Sequence, residues 1–545
     1  MENQRTILYL AFFFTLFLLY QEWQKTYNSQ PVITDVEQVS PTAGDISDAE
    51  ISSLPTADIP ANIKSDTPSI GVTSEKVIRE SVHVVTDVLD LKIDTQGGTI
   101  YQLDLRDYQL SAEKMDQPFR LLNAEESRYH TAQSGLVSSE HVAPNHKDIY
   151  RAEKSEYRLQ EGTDELKVTL YWEKDGVSVN KVFTFARDSY AIGVEHIVSA
   201  DNWSGSEYRQ LVRSLQERES TMIPTYVGGV VFNEEIKYEK LDFDDIGEQT
   251  FKTDMKGGWI AMIQHYFLAA WVPDQNQSNY TYTSHPTSNR YILGMRSPAA
   301  VSSAETPAHF KSQLVVGPKL QDRLETIAPG LELTVDYGIL TILAKPLFWL
   351  LKFYHTMFEN WGWAIIFLTI TVKVIFYKLS EAGYRSMARM RKIGPRMQTL
   401  KERYGDDRQR MSAEMMKMYK EEKINPLGGC FPILIQIPVF IALYWVLLES
   451  VEMRNAPFAL WIQNLSEQDP YFILPILMGA TMYIQQKLNP APVDPVQQKV
   501  FQFMPLVFTI FFLFFPAGLV LYWVVNNGLS IIQQWIITKR IEAEK

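Results

Sequence analysis

The chain has 545 residues, too many for one ordinary core. Its single cysteine, Cys430, excludes an intramolecular disulfide framework, so any exported domain must hold together by its core alone. The mean hydropathy of −0.14 averages two unlike parts, and the formal charge of −12 is as uneven, because Lys378 to Asn425 holds 13 Lys/Arg against 7 Asp/Glu, a local +6 that leaves −18 elsewhere.

Arg5 precedes a first apolar run, Ile7 to Tyr20, extendable to Trp23. About 18 residues cross a hydrocarbon core of roughly 30 Å at 1.5 Å per residue. Gln21-Glu22-Trp23-Gln24-Lys25 offers no small-x-small cleavage site, which predicts an uncleaved signal anchor over 1–27 with its amino end in the cytoplasm. Residues 28–75 are rich in Ser, Thr, Asp and Pro, lack periodicity and read as a flexible linker.

From 76 to 335 the period is two. Leu89, Leu91 and Ile93 alternate with Asp90, Lys92 and Asp94 until Gly97-Gly98 breaks the run. Leu166–Trp172 and Val177–Phe185 flank Asp175-Gly176, a hairpin signal. Such runs recur without a long helical stretch, which predicts a large β-sandwich, outside the cytoplasm if the anchor is oriented as above.

Residues 336–360 switch to helical period. Ile339, Leu343, Leu347, Leu350, Tyr354 and Met357 form an apolar stripe, while Lys345, Lys352 and Glu359 recur every seven residues on another face. The pattern predicts an amphipathic helix on the outer membrane–water interface, with packing on the sandwich as its plainer alternative. Five further spans are expected at 361–379, 428–449, 471–486, 500–515 and 519–537, the last two joined by Pro516-Ala517-Gly518. Six spans with the amino end inside put the 538–545 tail inside as well. Lys539, Arg540 and Lys545 agree, as does the outer loop 450–470 with its one basic residue, Arg454.

The basic stretch 380–427 reads as a cytoplasmic helical hairpin. Its apolar flanks favour the positive-inside pattern over nucleic-acid binding, and no DNA partner is expected. Met387, Met390, Met397 and Leu400 lie at helical spacing in one arm, Gly405-Asp406-Asp407 makes the turn, and Met411, Met415 and Met418 stripe the other. Arg385, Arg389, Lys392 and Arg396 step by four, three and four, which places them on one face of a continuous helix. Methionine suits promiscuous apolar contact, so both sets are candidate client contacts; packing of the two arms, and topology, are the plainer roles.

No hydrolase, metal or phosphate-loop signature is present, so neither an enzyme nor a cofactor is expected. Leu427-Gly428-Gly429-Cys430 resembles a lipoprotein cleavage box but lies too deep in the chain to be one. The strongest anomaly is Lys373, a charge within the 361–379 span, where an ionisable group costs about 2.5–3.5 kcal/mol and marks function by default. Snorkelling toward Lys378 is the plainer reading. Thr369, Lys373 and Tyr377 share a face at i, i+4, i+8; Gln436 lies in the third span; Asn526, Ser530 and Gln533 line the sixth, one turn after Trp523. Amides facing lipid need partners or water, which points to one shared hydrated groove or, alternatively, to hydrogen bonds between helices.

Several runs carry a family resemblance: Asn425-Pro426-Leu427-Gly428-Gly429-Cys430-Phe431-Pro432, Ala456 to Trp461, Asp469 to Pro475, Phe515 to Tyr522 and, in the outer domain, Gly257-Gly258-Trp259-Ile260-Ala261-Met262. On these the chain resembles the YidC/Oxa/Alb family of membrane protein insertases, of the Gram-negative, proteobacterial type. The resemblance implies a polytopic α-helical membrane protein of six transmembrane helices, five forming the insertase core, with a large periplasmic β-sandwich, in the bacterial inner membrane. It implies a groove open to cytoplasm and lipid, whose basic position falls on Lys373, where most bacterial members have Arg, and whose polar and aromatic positions fall on Thr369 and Trp523. Nascent membrane proteins, lipid, the Sec translocon, the ribosome and the signal-recognition receptor are the implied partners. Two rivals remain. A secondary transporter or channel would show inverted repeats and several intramembrane charges; a lateral assembly scaffold would share this architecture.

Overall fold

A computed structural model describes residues 80–543 except 111–113, 115, 216–224, 249, 288, 304, 405–406, 423–430 and 490–494. The expected anchor, the linker and most of the Asn425–Pro432 motif lie outside the described residues.

Strands run from Ser81 to Pro318 in two sheets, one of eleven strands and one of nine. All ladders are antiparallel except that between Ser81–Val85 and Glu156–Arg158 at one edge. Leu91, Leu103 and Leu211 from the first sheet meet Val179, Phe183, Val194 and Leu314 from the second in one apolar core. The period-two reading follows from this geometry, since alternate side chains enter the space between the sheets. Strands Glu165–Lys174 and Val177–Ala186 pair through Asp175 and Gly176, both at positive φ (49° and 79°), as a two-residue primed turn requires. Gly258 of the outer-domain motif is needed for space as well as for its φ of 75°, because a Cβ there would lie 2.0 Å from Phe232 O. The motif then becomes strand Trp259–Ile263, whose Trp259 stacks on Phe232 and donates Nε1–H to Pro329 O at 3.1 Å.

Two short helices belong to this region: α1 (Phe243–Glu248) and, just after the last strand, α2 (Gln321–Ile327). Then come α3 (Thr341–Phe358), α4 (Trp361–Ile375), α5 (Tyr377–Lys392), α6 (Gly394–Tyr404), α7 (Arg408–Glu421), α8 (Phe431–Glu449), α9 (Ile473–Leu488), α10 (Pro495–Phe512) and α11 (Ala517–Ala543). Helices α3, α4, α8, α9 and α11 share a second apolar core that includes Phe348, Leu368, Val446, Met478 and Val520. Gly479 lets α9 and α10 approach closely, since a Cβ there would meet Thr509 Oγ1.

Among the described residues no single helix is both long and apolar enough to cross a membrane. The pair α4 and α5 passes that test jointly but is bent by 67°.

Three expectations need correction. The expected span 361–379 breaks at Phe376, so Tyr377 opens α5 instead of extending the row of Thr369 and Lys373. The first arm of the hairpin breaks again at Ile393, so Arg396 lies in α6 and does not share a continuous helical face with Arg385, Arg389 and Lys392. The protein-facing side of α3 is centred on Ala344, Phe348 and Leu351; of the predicted stripe Leu347, Leu350 and Tyr354 pack at its margin, while Ile339 and Met357 are 90 % and 60 % exposed. A helix between protein and an apolar exterior carries two apolar faces, and periodicity alone does not say which one is covered.

Candidate functional site

Asn360 starts α4. Its side-chain oxygen accepts from Trp363 N at 3.1 Å, and its amide donates to Phe458 O at 2.9 Å, which ties the helix start to the 450–470 loop. Fifteen residues later the helix ends, with Lys373 in its last turn, where free carbonyls favour a cation. Lys373 Nζ donates to Ser530 Oγ of α11 at 2.7 Å, and that hydroxyl donates to Asn526 O at 2.7 Å. Gln436 of α8 donates to Asn526 Oδ1. No carboxylate lies within ion-pair distance of Lys373 among the described residues.

The structure therefore brings together Lys373, Gln436, Asn526 and Ser530 from three helices. Trp523 lies beside Phe440 and Phe512, its Nε1–H buried with no partner among the described residues. Thr369 is buried and its hydroxyl closes on Ile365 O of its own helix at 2.7 Å, so it adds no free donor to the cluster. Gln533 Nε2 reaches Tyr377 O at 3.5 Å, across the bend.

Two polar residues escaped the sequence reading. Asn527 Nδ2 lies 3.4 Å from Thr481 Oγ1, and Gln534 Nε2 donates at 3.1 Å to both Leu488 O and Asn489 Oδ1. The signal was there: Asn526-Asn527 and Gln533-Gln534 are doubled amides seven apart, one row reaching α8 and the start of α5 and the other facing α9.

In the hairpin, Met397 and Met418 are buried against Ile393, with Met390, Leu400 and Met415 partly covered, and Tyr419 OH lies 3.2 Å from Met397 Sδ. The arms cover each other's stripes, so Met397, a candidate client contact, takes the plainer role of packing the arms and is not displayed, while Met387 stands outside this cluster. Arg389 and Lys392 are exposed, Arg385 pairs with Glu381 at 3.3 Å, and Arg396 pairs with Glu422 at 2.6 Å.

Comparison with known proteins places both regions. A family described as "60Kd inner membrane protein" matches residues 353–544, and one described as "YidC periplasmic domain" matches residues 81–350. The membrane protein insertase YidC of Thioalkalivibrio sulfidiphilus is 51 % identical over 565 residues, covering 99 % of each chain. That of Methylococcus capsulatus is 50 % identical over 553 residues, again covering 99 % of each. A crystal structure of an active YidC insertase aligns with 83 % of this chain and 92 % of its own, at 18 % identity and a TM-score of 0.39.

Proposed function

The chain belongs to the YidC family of inner-membrane protein insertases, and from that premise we propose that it lowers the barrier to translocating short polar segments through a polar groove centred on Lys373. The function is transport and folding, not enzyme catalysis. The observation that carries the proposal is that Lys373 meets a hydroxyl and no acid among the described residues, and that this Ser530 hydroxyl leads on to Asn526, whose side chain Gln436 of a third helix bonds. An unneutralised cation in an apolar setting attracts an acidic group and becomes more favourable when it finds one.

A client hairpin brings a short polar segment that must cross lipid. Water and amides in the inner leaflet shorten the apolar distance, and Lys373 draws the client's acidic residues while Trp523 offers a free N–H. The client's own apolar helix then partitions into lipid, which supplies the free energy without ATP. In this reading the chain spans the membrane six times with both termini in the cytoplasm. The hairpin receives nascent chains, with Met387, Arg389 and Lys392 as first contacts, and the ribosome, the signal-recognition receptor and the Sec translocon are its partners. Insertion proceeds with or without Sec, and lateral folding of clients uses the same surface.

The test is insertion of a purified single-spanning client into liposomes containing the full-length chain. Lys373→Ala is expected to slow clients with acidic outer segments by at least about tenfold and clients lacking them much less. Equal rates for parent and variant would falsify the groove.

A further inference from the structure

The base of the outer sandwich reaches the outer end of a groove-lining helix through buried polar groups. Lys319 follows strand Ala308–Pro318, is 3 % exposed, and lies 3.5 Å from a carboxylate oxygen of Glu449, the last residue of α8. Its ammonium also donates to Thr334 O at 3.1 Å. From the turn between strands Trp259–Ile263 and Phe267–Pro273, His265 Nε2 donates to Leu448 O at 2.8 Å, one of the carbonyls that the end of α8 leaves without a helical partner. Burial, and the Lys319 charge beside it, push the His265 imidazole down to about 3, which keeps it neutral and its proton on the bonded nitrogen. Arg454, five residues beyond α8, stacks over Phe119 and Phe267, 5.4 Å from each ring, and donates to Leu110 O at 2.9 Å.

A carboxylate at the last residue of a helix faces the negative end of the dipole, and this one is buried as well. Lys319 answers both penalties. At its other end the same helix carries Gln436, bonded to Asn526, and Phe440, packed on Trp523. A shift or rotation of α8 moves those groups.

We propose that Lys319 and His265 are positioning residues for the insertase groove: through them the outer domain sets the height and rotation of α8, and with it the spacing between Gln436 and Asn526. This rests on the reading of the groove given above. It makes the outer domain more than a passenger on a linker helix, because losing Lys319 strands the Glu449 carboxylate. Removing one partner of a buried pair is far more damaging than removing both, so the defect should be repairable from the other side.

The experiment uses the full-length chain in phosphatidylethanolamine–phosphatidylglycerol vesicles. Two measurements are made: insertion of an acidic-tailed client, and the distance between spin labels at exposed Val301 and Leu460, with Cys430 replaced by Ser. Lys319→Met is expected to slow insertion about tenfold and broaden the distance distribution, while Lys319→Arg keeps both near parental. Lys319→Met combined with Glu449→Gln is expected to recover to within about twofold of the parent, a rescue that mere loss of packing at Lys319 does not produce. A double variant as slow as Lys319→Met overturns the proposal, as does a Lys319→Met chain that inserts at the parental rate. Should Lys319→Met fail to accumulate, Glu449→Lys, which sets two ammonium groups together, must broaden the distance; an unchanged distance overturns the proposal. Lys373→Ala is run beside them. If it is slow while Lys319→Met is normal, the coupling fails and the groove stands; if it is normal, the groove itself fails.

Discussion

In the outer sandwich, Glu207 is fully buried between His196 Nδ1, at 2.8 Å, and the guanidinium of Arg209, while the nearby Lys181 ammonium donates to Gly97 O at 2.8 Å and Ser134 O at 3.1 Å. In the helical region, Lys373 meets one hydroxyl, and no acid stands opposite it among the described residues. The sandwich sets Glu207 against Arg209 and gives the Lys181 ammonium two backbone carbonyls, so these buried polar groups find their partners inside the domain. The helices hold a cation with no carboxylate opposite it among the described residues, which is what the proposed site for a passing anionic segment requires. Polar burial of one kind serves the fold; polar burial of the other kind, in the proposed groove, serves a client.

Breaking the closed arrangement should cost the most. Arg209→Met leaves Glu207 buried and half-paired, and is expected to destabilise the outer domain by about 3–5 kcal/mol in urea unfolding. Glu207→Gln added to it should recover part of that loss; a double variant worse than the single would mean that the cluster is not an electrostatic unit.

The same dry core makes the sandwich sensitive to acid. His130 is 2 % exposed, and burial, aided by the Arg213 charge, pushes its imidazole from the usual 6.5 to about 3. As pH falls, the unfolded chain takes up the proton first, so stability that is full above about pH 6.5 is lost progressively toward pH 3. His130→Asn keeps a donor for Leu121 O and removes the titration, so its pH–stability curve should be flatter across that window. Parallel curves would exclude His130 as the source.

The open arrangement should respond to charge more than to shape. Lys373→Arg is expected to insert within about threefold of the parent, whereas Lys373→Glu should fall below Lys373→Ala for acidic clients, because it adds repulsion to lost attraction. Insertion rates in liposomes decide, and an Arg variant as poor as the Glu variant would point to geometry instead.

A milder effect is expected at the hairpin. Neutralising Arg389 and Lys392 should lower crosslinking of a stalled nascent chain about two- to threefold at low salt and very little at high salt. A loss independent of salt would argue for packing. Smallest of all is the half-exposed pair of Lys240 and Asp336, 2.6 Å apart: Lys240→Ala should change outer-domain stability by less than about 1 kcal/mol.

Periodicity and turn chemistry made much of this legible without coordinates. Asp175-Gly176 can hardly be anything but a tight hairpin turn, because its backbone needs two positive φ values. Lys373, Gln436, Asn526 and Ser530 stood out because amides and charges in apolar runs are costly wherever they end up, and the structure does draw these four together. The bend at Phe376 carries no Pro or Gly to announce it, whereas the break at Ile393 was marked by Gly394-Pro395 directly after it. Of the two roles open to Met397, client contact and packing of the arms, the structure shows packing; an apolar stripe looks the same whether it faces a client or the opposite arm.

The amino-acid sequence by itself thus determined which segments are strands or helices, where the unusual polar side chains sit, and, through its motifs, the family. Those are properties of neighbours along the chain, written in periods of two and 3.6. Only the tertiary structure decided that Lys319 meets Glu449, 130 residues away, that His265 bonds the Leu448 carbonyl, 183 residues later, at a helix end, and that among the described residues Ser530, not an acid, answers Lys373. Such pairings depend on which faces close upon each other, and a one-dimensional pattern leaves that choice open because many alternative closures bury the same apolar area.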